Sequence, residues 1–175
     1  ARELRYEWFE KLLAENPNSI VCTAHHKDDN REQLLLKLMS SGKLSDLAGI
    51  QQARKGYYRP LLNMTKPEII QYAKETKLAW REDYSNTENN YTRNKIRNII
   101  LPAMNEADKR TESGIDKALN EINQLKAEIN SQIDHLFSDL TCKDEFLVSN
   151  EFWNSQLTIF KELFLKKWMK ITVLQ

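Results

Sequence analysis

Glycine is the scarcest structural resource in this chain. Among 175 residues only Gly42, Gly49, Gly56 and Gly114 occur, about 2% against a usual ~7%. No two of them lie within six residues of each other. A glycine-rich loop that wraps phosphates in backbone N–H groups needs several glycines close together. These residues cannot build one. The fold must therefore rest on apolar periodicity and polar caps rather than on tight backbone cradles. Enough of both is present: 41% of residues are hydrophobic and 29% charged, the balance of a folded globular chain rather than a disordered one. No apolar run approaches the ~18 residues of a membrane span, and the opening carries no secretion-signal pattern. Cys22 and Cys142 are too few for a disulfide framework, so a reducing, cytoplasmic setting is expected.

The pattern along the chain alternates helix and strand. Leu4, Trp8 and Leu12 make a helical stripe that Asn16-Pro17-Asn18 ends. Residues 19–24, Ser-Ile-Val-Cys-Thr-Ala, predict a short buried strand, in which Cys22 packs rather than reacts. A second helix follows, with Asp29 as N-cap, Glu32 closing a capping box and Leu34, Leu35 and Leu38 on its apolar face. Residues 43–58 read as an irregular loop, and Tyr57 to Leu62 as an extended segment. Thr65-Lys66-Pro67-Glu68 starts a helix that reaches about Lys77. Residues 81–91 form a polar loop of the kind that often carries function. Thr92 opens another helix, which Pro102 ends or kinks.

Beyond it the character changes. Ile115, Ile122, Ile129 and Leu136 recur every seven residues, with Leu119, Leu125 and Ile133 between them, predicting one long amphipathic helix. Leu157, Phe160, Leu163, Phe164, Trp168 and Ile171 mark a last one. Trp80, Trp153 and Trp168 are expected in the core. Residues 1–104 carry 17 Lys and Arg against 13 Asp and Glu, and residues 105–175 carry 9 against 12. The expected organisation is a mixed α/β domain over 1–104 and an all-helical one over 105–175.

Four constellations could carry chemistry. His25-His26-Lys27-Asp28-Asp29 with Glu32 lies where a strand hands over to a helix, the edge at which open α/β sheets bind ligands. These groups could hold a cation or move a proton; alternatively the carboxylates only cap the helix. Arg93, Lys95 and Arg97 crowd the first turns of a helix, against its dipole. That placement points to an anion, because a guanidinium pair at i, i+4 suits phosphate; the alternative is neutralisation by Asp83 or Glu88. Asp83-Tyr84-Ser85-Asn86 is also ordinary turn chemistry. Arg54, Lys55 and Arg59 among tyrosines suit RNA, or a solvated loop.

Taken in order, these stretches resemble the lysidine synthase branch of the PP-loop ATP pyrophosphatase family. The matching pieces are Ala1-Arg2-Glu3-Leu4-Arg5-Tyr6, Thr23-Ala24-His25-His26-Lys27-Asp28-Asp29 with Glu32, Leu47-Ala48-Gly49-Ile50, Arg59-Pro60-Leu61-Leu62, Trp80 with Glu82 to Asn86, Tyr91 to Arg97, and Leu101-Pro102. The family's Ser-Gly-Gly-x-Asp-Ser phosphate loop is not among them, and Gln33, Asn30 and Asp46 depart from its usual residues.

The resemblance implies the C-terminal part of a PP-loop, Rossmann-type domain followed by an all-helical domain. It implies an enzyme that uses ATP and Mg²⁺ to join L-lysine to C2 of the wobble cytidine of tRNA(Ile). It assigns His26, Asp28 and Asp29 to catalysis, with Asp29 as the Mg²⁺ ligand. Asp83, Asn86, Arg93, Asn94 and Arg97 would bind substrate, and Arg54, Lys55 and Arg59 would contact RNA. No membrane partner is implied, and a homodimer is left open. With the phosphate loop missing, the isolated 175 residues are expected to be inactive. Other PP-loop tRNA modifiers, a metal-dependent phosphoesterase and a non-catalytic RNA-binding module are the competing expectations.

Overall fold

A computed structural model describes residues 2–81, 91–138 and 149–173. By compactness the chain falls into two units, the first made of residues 1–36 and 49–112 and the second of residues 37–48 and 113–175.

The first unit opens with α1 (Arg2–Glu15). Pro17 disfavours helical backbone at Asn16, and the Asn16 side chain and N–H both bond the Leu12 carbonyl at 3.0 Å, closing the last turn. Strand β1 (Val21–Cys22) leads into α2 (Lys27–Ser40). The chain returns through the hairpin of β2 (Ala53–Arg54) and β3 (Tyr57–Tyr58). The sheet order is β1-β3-β2, with β3 parallel to β1 (Val21 opposite Tyr57) and antiparallel to β2. The parallel pair is possible because α2 lies within the crossover that joins its strands. Gly56 makes the hairpin turn: its φ is +76°, and a Cβ there would lie 2.6 Å from Leu13 Cδ1.

Helix α3 (Lys66–Glu75) starts as the sequence predicts, with a complete Thr65–Glu68 capping box, and stops two residues before Lys77. A continuous helical path then runs through α4 (Thr92–Lys95), a π turn over Ile96–Ile100 and α5 (Leu101–Ala107). Pro102 does not end it. Having no N–H, Pro102 would strand an α-helical carbonyl. The wider turn takes up the mismatch, with the Leu101 N–H bonding the Ile96 carbonyl.

The long helix is α6 (Thr111–Ser138), and α7 (Asn150–Ser155) and α8 (Thr158–Val173) follow. In the second unit Ile129, Ile133, Ile159, Phe160 and Phe164 form a buried cluster, flanked by Phe152, Trp153, Leu163 and Trp168. Phe160 and Phe164 stack with centroids 6.0 Å apart. The described residues of this unit are helical or loop.

Several expectations need correction. The strand predicted over 19–24 is two residues long and not buried: Ile20 is 66% exposed and Cys22 is exposed. β1 is an edge strand among the described residues, so only one side of it is covered. The loop over 43–58 contains a 3₁₀ turn (Leu44–Asp46) and the hairpin. Trp80 is 49% exposed and belongs to no core. Leu125 is exposed as well. Leu125 belongs to neither seven-residue series, 115-122-129-136 or 119-126-133, and points off the face on which Ile115, Leu119, Ile129 and Ile133 are buried.

Candidate functional site

The site is built on the first turns of α2. His26 holds the N-cap position and Asp29 is the third helical residue, so the cap lies one turn earlier than the sequence suggests. Asp29 Oδ2 accepts the His26 N–H at 3.0 Å. Glu32 closes no capping box. It is 1% exposed, on the same face as Asp29 one turn on.

Both arginines of the 93–97 segment converge on these two carboxylates. Arg93 Nε donates to Glu32 Oε2 at 2.8 Å and its Nη2 to Asp29 Oδ1 at 3.1 Å. Arg97 grips Glu32 with a fork, Nε to Oε1 at 2.5 Å and Nη2 to Oε2 at 3.0 Å, and also reaches Asp29 Oδ1 at 3.2 Å. Burial works against the Arg97 guanidinium, but the Glu32 hydrogen bonds and the nearby Asp29 and Asp28 outweigh it, and its pKa lies above the ordinary arginine range. The partners weighed from sequence, Asp83 and Glu88, lie outside the described residues, as does Asn86. The signal that could have found the true partners was available: carboxylates at i, i+3 on one helix match guanidiniums at i, i+4 on another.

Asp28 faces a different set. Its Oδ1 accepts from Arg31 at 3.0 Å and its Oδ2 from the Lys66 N–H, the start of α3, at 2.7 Å. Arg31, missed by the sequence reading, is 4% exposed and also bonds Glu112 at 2.6 Å. Glu112 is held in turn by Asn105 at 2.8 Å. His26 Nδ1 is buried without a hydrogen-bond partner among the described residues; Asp28 Oδ2 is 3.6 Å away and Asp29 Oδ2 lies 3.5 Å from Nε2. His25 Nδ1 pairs with Thr23 Oγ1 at 2.9 Å.

Beside this cluster, at the carboxyl end of β1, lies a cleft of about 550 Å³ lined by Arg5, Tyr6, Phe9, Thr23, His25 and Arg93, among others. Aromatic rings and guanidiniums on one cleft suit a base and its phosphates. The basic hairpin divides. Arg54 and Lys55 are exposed. Arg59 is 8% exposed and gives Nη1 to the Gln51 carbonyl at 2.6 Å, so it cannot stand out to meet an RNA backbone. Asn94 is half-buried on α4.

Asp29 is not placed as a metal ligand. Two guanidiniums occupy Oδ1 and a backbone N–H occupies Oδ2, and no three His, Cys, Asp or Glu side chains gather as a metal site among the described residues. Among the described residues, the groups around Asp29 do not fit a protein-held Mg²⁺. Among the described residues no helix is long and apolar enough to cross a membrane.

A nucleotide-sized cleft at a parallel strand's carboxyl end, walled by helix-borne arginines, is the arrangement of nucleotide-using α/β enzymes. Residues 1–104 match the model of the PP-loop domain, and the chain belongs to that family. Its relatives narrow the comparison. The chain is 37% identical over 145 residues to the tRNA(Ile)-lysidine synthase of Treponema denticola, covering 83% of this chain and 30% of that protein. It is 37% identical over 134 residues to the Bacteroides thetaiotaomicron tRNA(Ile)-lysidine synthase (77% and 32%), and 33% over 149 residues to that of Bacillus subtilis (83% and 30%). The chain thus spans about 30% of the length of these curated relatives.

Proposed function

We propose that this chain is part of an ATP-dependent ligase that attaches L-lysine to C2 of the wobble cytidine of tRNA(Ile), in the cytoplasm. The observation that carries the reading is the Asp29–Glu32–Arg93–Arg97 cluster at the edge of the cleft, found in a PP-loop domain whose relatives are lysidine synthases. On this reading 1–104 is the remainder of the catalytic domain, C-terminal in a Rossmann-type sheet, and 105–175 is a helical domain.

The chemistry has two steps. The cytidine O2 attacks the α-phosphorus of ATP and diphosphate leaves. The lysine ε-amine then attacks C2, and AMP departs with that oxygen. The first step develops negative charge, which fixed guanidiniums stabilise. Arg93 and Arg97 serve here with Asn94 beside them, their forks held in place by Glu32. The second step needs the ammonium deprotonated. His26, Asp28 and Asp29 are the groups within reach of one another for that role and for orienting the amine. Asp83 and Asn86 shape the substrate site, and Arg54 and Lys55 contact RNA. Mg²⁺ enters only with ATP.

The test is ATP-dependent transfer of labelled lysine to a tRNA(Ile) transcript by the protein that carries this chain. Arg93→Gln should cut transfer at least about tenfold, the loss of a charge-assisted contact in the transition state. Transfer that continues without ATP, or labels tRNA lacking the wobble cytidine equally well, would overturn the reading.

A further inference from the structure

Arg31 is the most deeply buried cation of the site, and the two-step reaction gives it no task. Its side chain is 5% exposed, against 26% for Asp28 and 46% for Glu112, the two carboxylates it bonds. A surface pair at i, i+3 on one helix contributes little, but a guanidinium this deep is kept only when it is paired. Arg31 Nη1 reaches Asp28 Oδ1 at 3.0 Å and Glu112 Oε2 at 2.6 Å, and Asn105 Nδ2 fixes the other Glu112 oxygen at 2.8 Å. What this anchor orders is Asp28. A carboxylate turns easily about its last torsion, which has no sharp wells of its own. Donors on both oxygens select one orientation: Arg31 on Oδ1, and the Lys66 N–H at the start of α3 on Oδ2 at 2.7 Å. In that orientation Oδ2 stands 3.6 Å from His26 Nδ1, which is buried with no hydrogen-bond partner among the described residues. Across the ring, Asp29 Oδ2 stands 3.5 Å from Nε2, with Arg93 and Arg97 on its other oxygen. The imidazole is thus set between two carboxylates, each oriented by its own guanidiniums.

We propose that Arg31 is a positioning residue for the second step, acting through Asp28 on His26; the inference rests on the ligase reading. Arg31 lies too deep to touch substrate, whereas Asp28 keeps an open side. Without Arg31 the Asp28 carboxylate is free to turn away from His26, and orientation and deprotonation of the attacking amine both suffer. Adenylation depends on Arg93 and Arg97, which Glu32 and Asp29 hold, and it keeps its rate.

The experiment uses the protein that carries this chain and separates the two steps. Label from α-labelled ATP entering tRNA without lysine reports adenylation, and lysine-dependent release of labelled AMP from that tRNA reports the second step. Arg31→Gln should slow release about tenfold, the loss of one charge-assisted contact, and leave adenylation within about twofold of wild type. In an Asp28→Asn background the same change should add less than about twofold, because the group it acts through has gone. Glu112→Gln removes the other ion pair of Arg31 without touching Asp28, and release should stay near the wild-type rate. Should Arg31→Gln fail to fold, Arg31→Lys makes the same comparison, since it keeps the charge but loses the fixed planar geometry. Adenylation slowed as much as release, or a full tenfold loss persisting in Asp28→Asn, would make Arg31 a merely structural residue and overturn the proposal. Histidine-labelled protein gives a readout that needs no turnover: the His26 ring signals, assigned by their loss in His26→Gln, should move in Arg31→Gln and not move further when Asp28→Asn is already present. If wild type transfers no lysine, the ligase reading fails by itself, and those ring signals still decide whether Arg31 orders His26 through Asp28.

Discussion

Replacing Glu32 by glutamine is the sharpest perturbation of the cluster. Glu32 is 1% exposed and accepts three guanidinium bonds, from Arg93 at 2.8 Å and from Arg97 at 2.5 and 3.0 Å. Removing one partner from a buried ion pair costs about 3–5 kcal/mol, because the remaining charge is left uncompensated. Two features place this case at the low end. The Arg93 and Arg97 side chains are 32% and 27% exposed, and Asp29 holds a second contact to each. Glutamine also keeps one acceptor. The expected loss is about 3 kcal/mol, a fall in Tm of about 12–24 °C for a unit of this size. Urea denaturation measures it directly. The same change in an Arg97→Gln background should cost markedly less, because the charge it orphans has gone; the difference is the coupling energy. A loss below about 1 kcal/mol, or full additivity with Arg97→Gln, would show that Glu32 does not anchor the guanidiniums. The raised Arg97 pKa makes its stabilisation fully present below the unfolded-state value and lost only as pH rises through the folded one. The Glu32–Arg97 coupling should therefore be insensitive to pH on the neutral-to-alkaline side.

Tyr57, buried and donating to Glu10 Oε1 at 2.7 Å, should titrate near 12 in the folded chain, and stability should fall as pH climbs from its unfolded value of 10.0 through that point; absorbance at the phenolate band in wild type and Glu10→Gln checks it, the variant titrating lower. Gly56→Ala should destabilise by about 2 kcal/mol through its positive φ and the Leu13 contact; adding Leu13→Ala removes the clash but not the backbone strain, so denaturation of the double variant should show no full recovery. Ile133, 0% exposed at the centre of the helical cluster, should cost about 2–5 kcal/mol as Ile133→Ala, read by the denaturation midpoint.

Local features were legible because local forces set them. The Thr65–Glu68 cap, the Asn16-Pro17 stop and the long helix carrying Ile115, Ile122, Ile129 and Leu136 each follow from residues a few positions apart. The site was half legible. Asp29 and Arg93 were singled out for ligands, and the structure first pairs them with each other across 64 residues. Arg31 looks like an ordinary helix cation until Asp28 and Glu112 close around it. Arg59 looks like one of three surface basics until the hairpin buries it.

The sequence by itself determined the start of α3 at Thr65, the stop of α1 before Pro17 and the absence of a glycine cradle, since capping, backbone sterics and glycine spacing act over one or two turns. Only the tertiary structure decided which charges are paired, which are buried and which strand lies at an edge. Burial and Coulomb energy depend on what distant segments bring within a few ångströms, and no residue's neighbours along the chain record that.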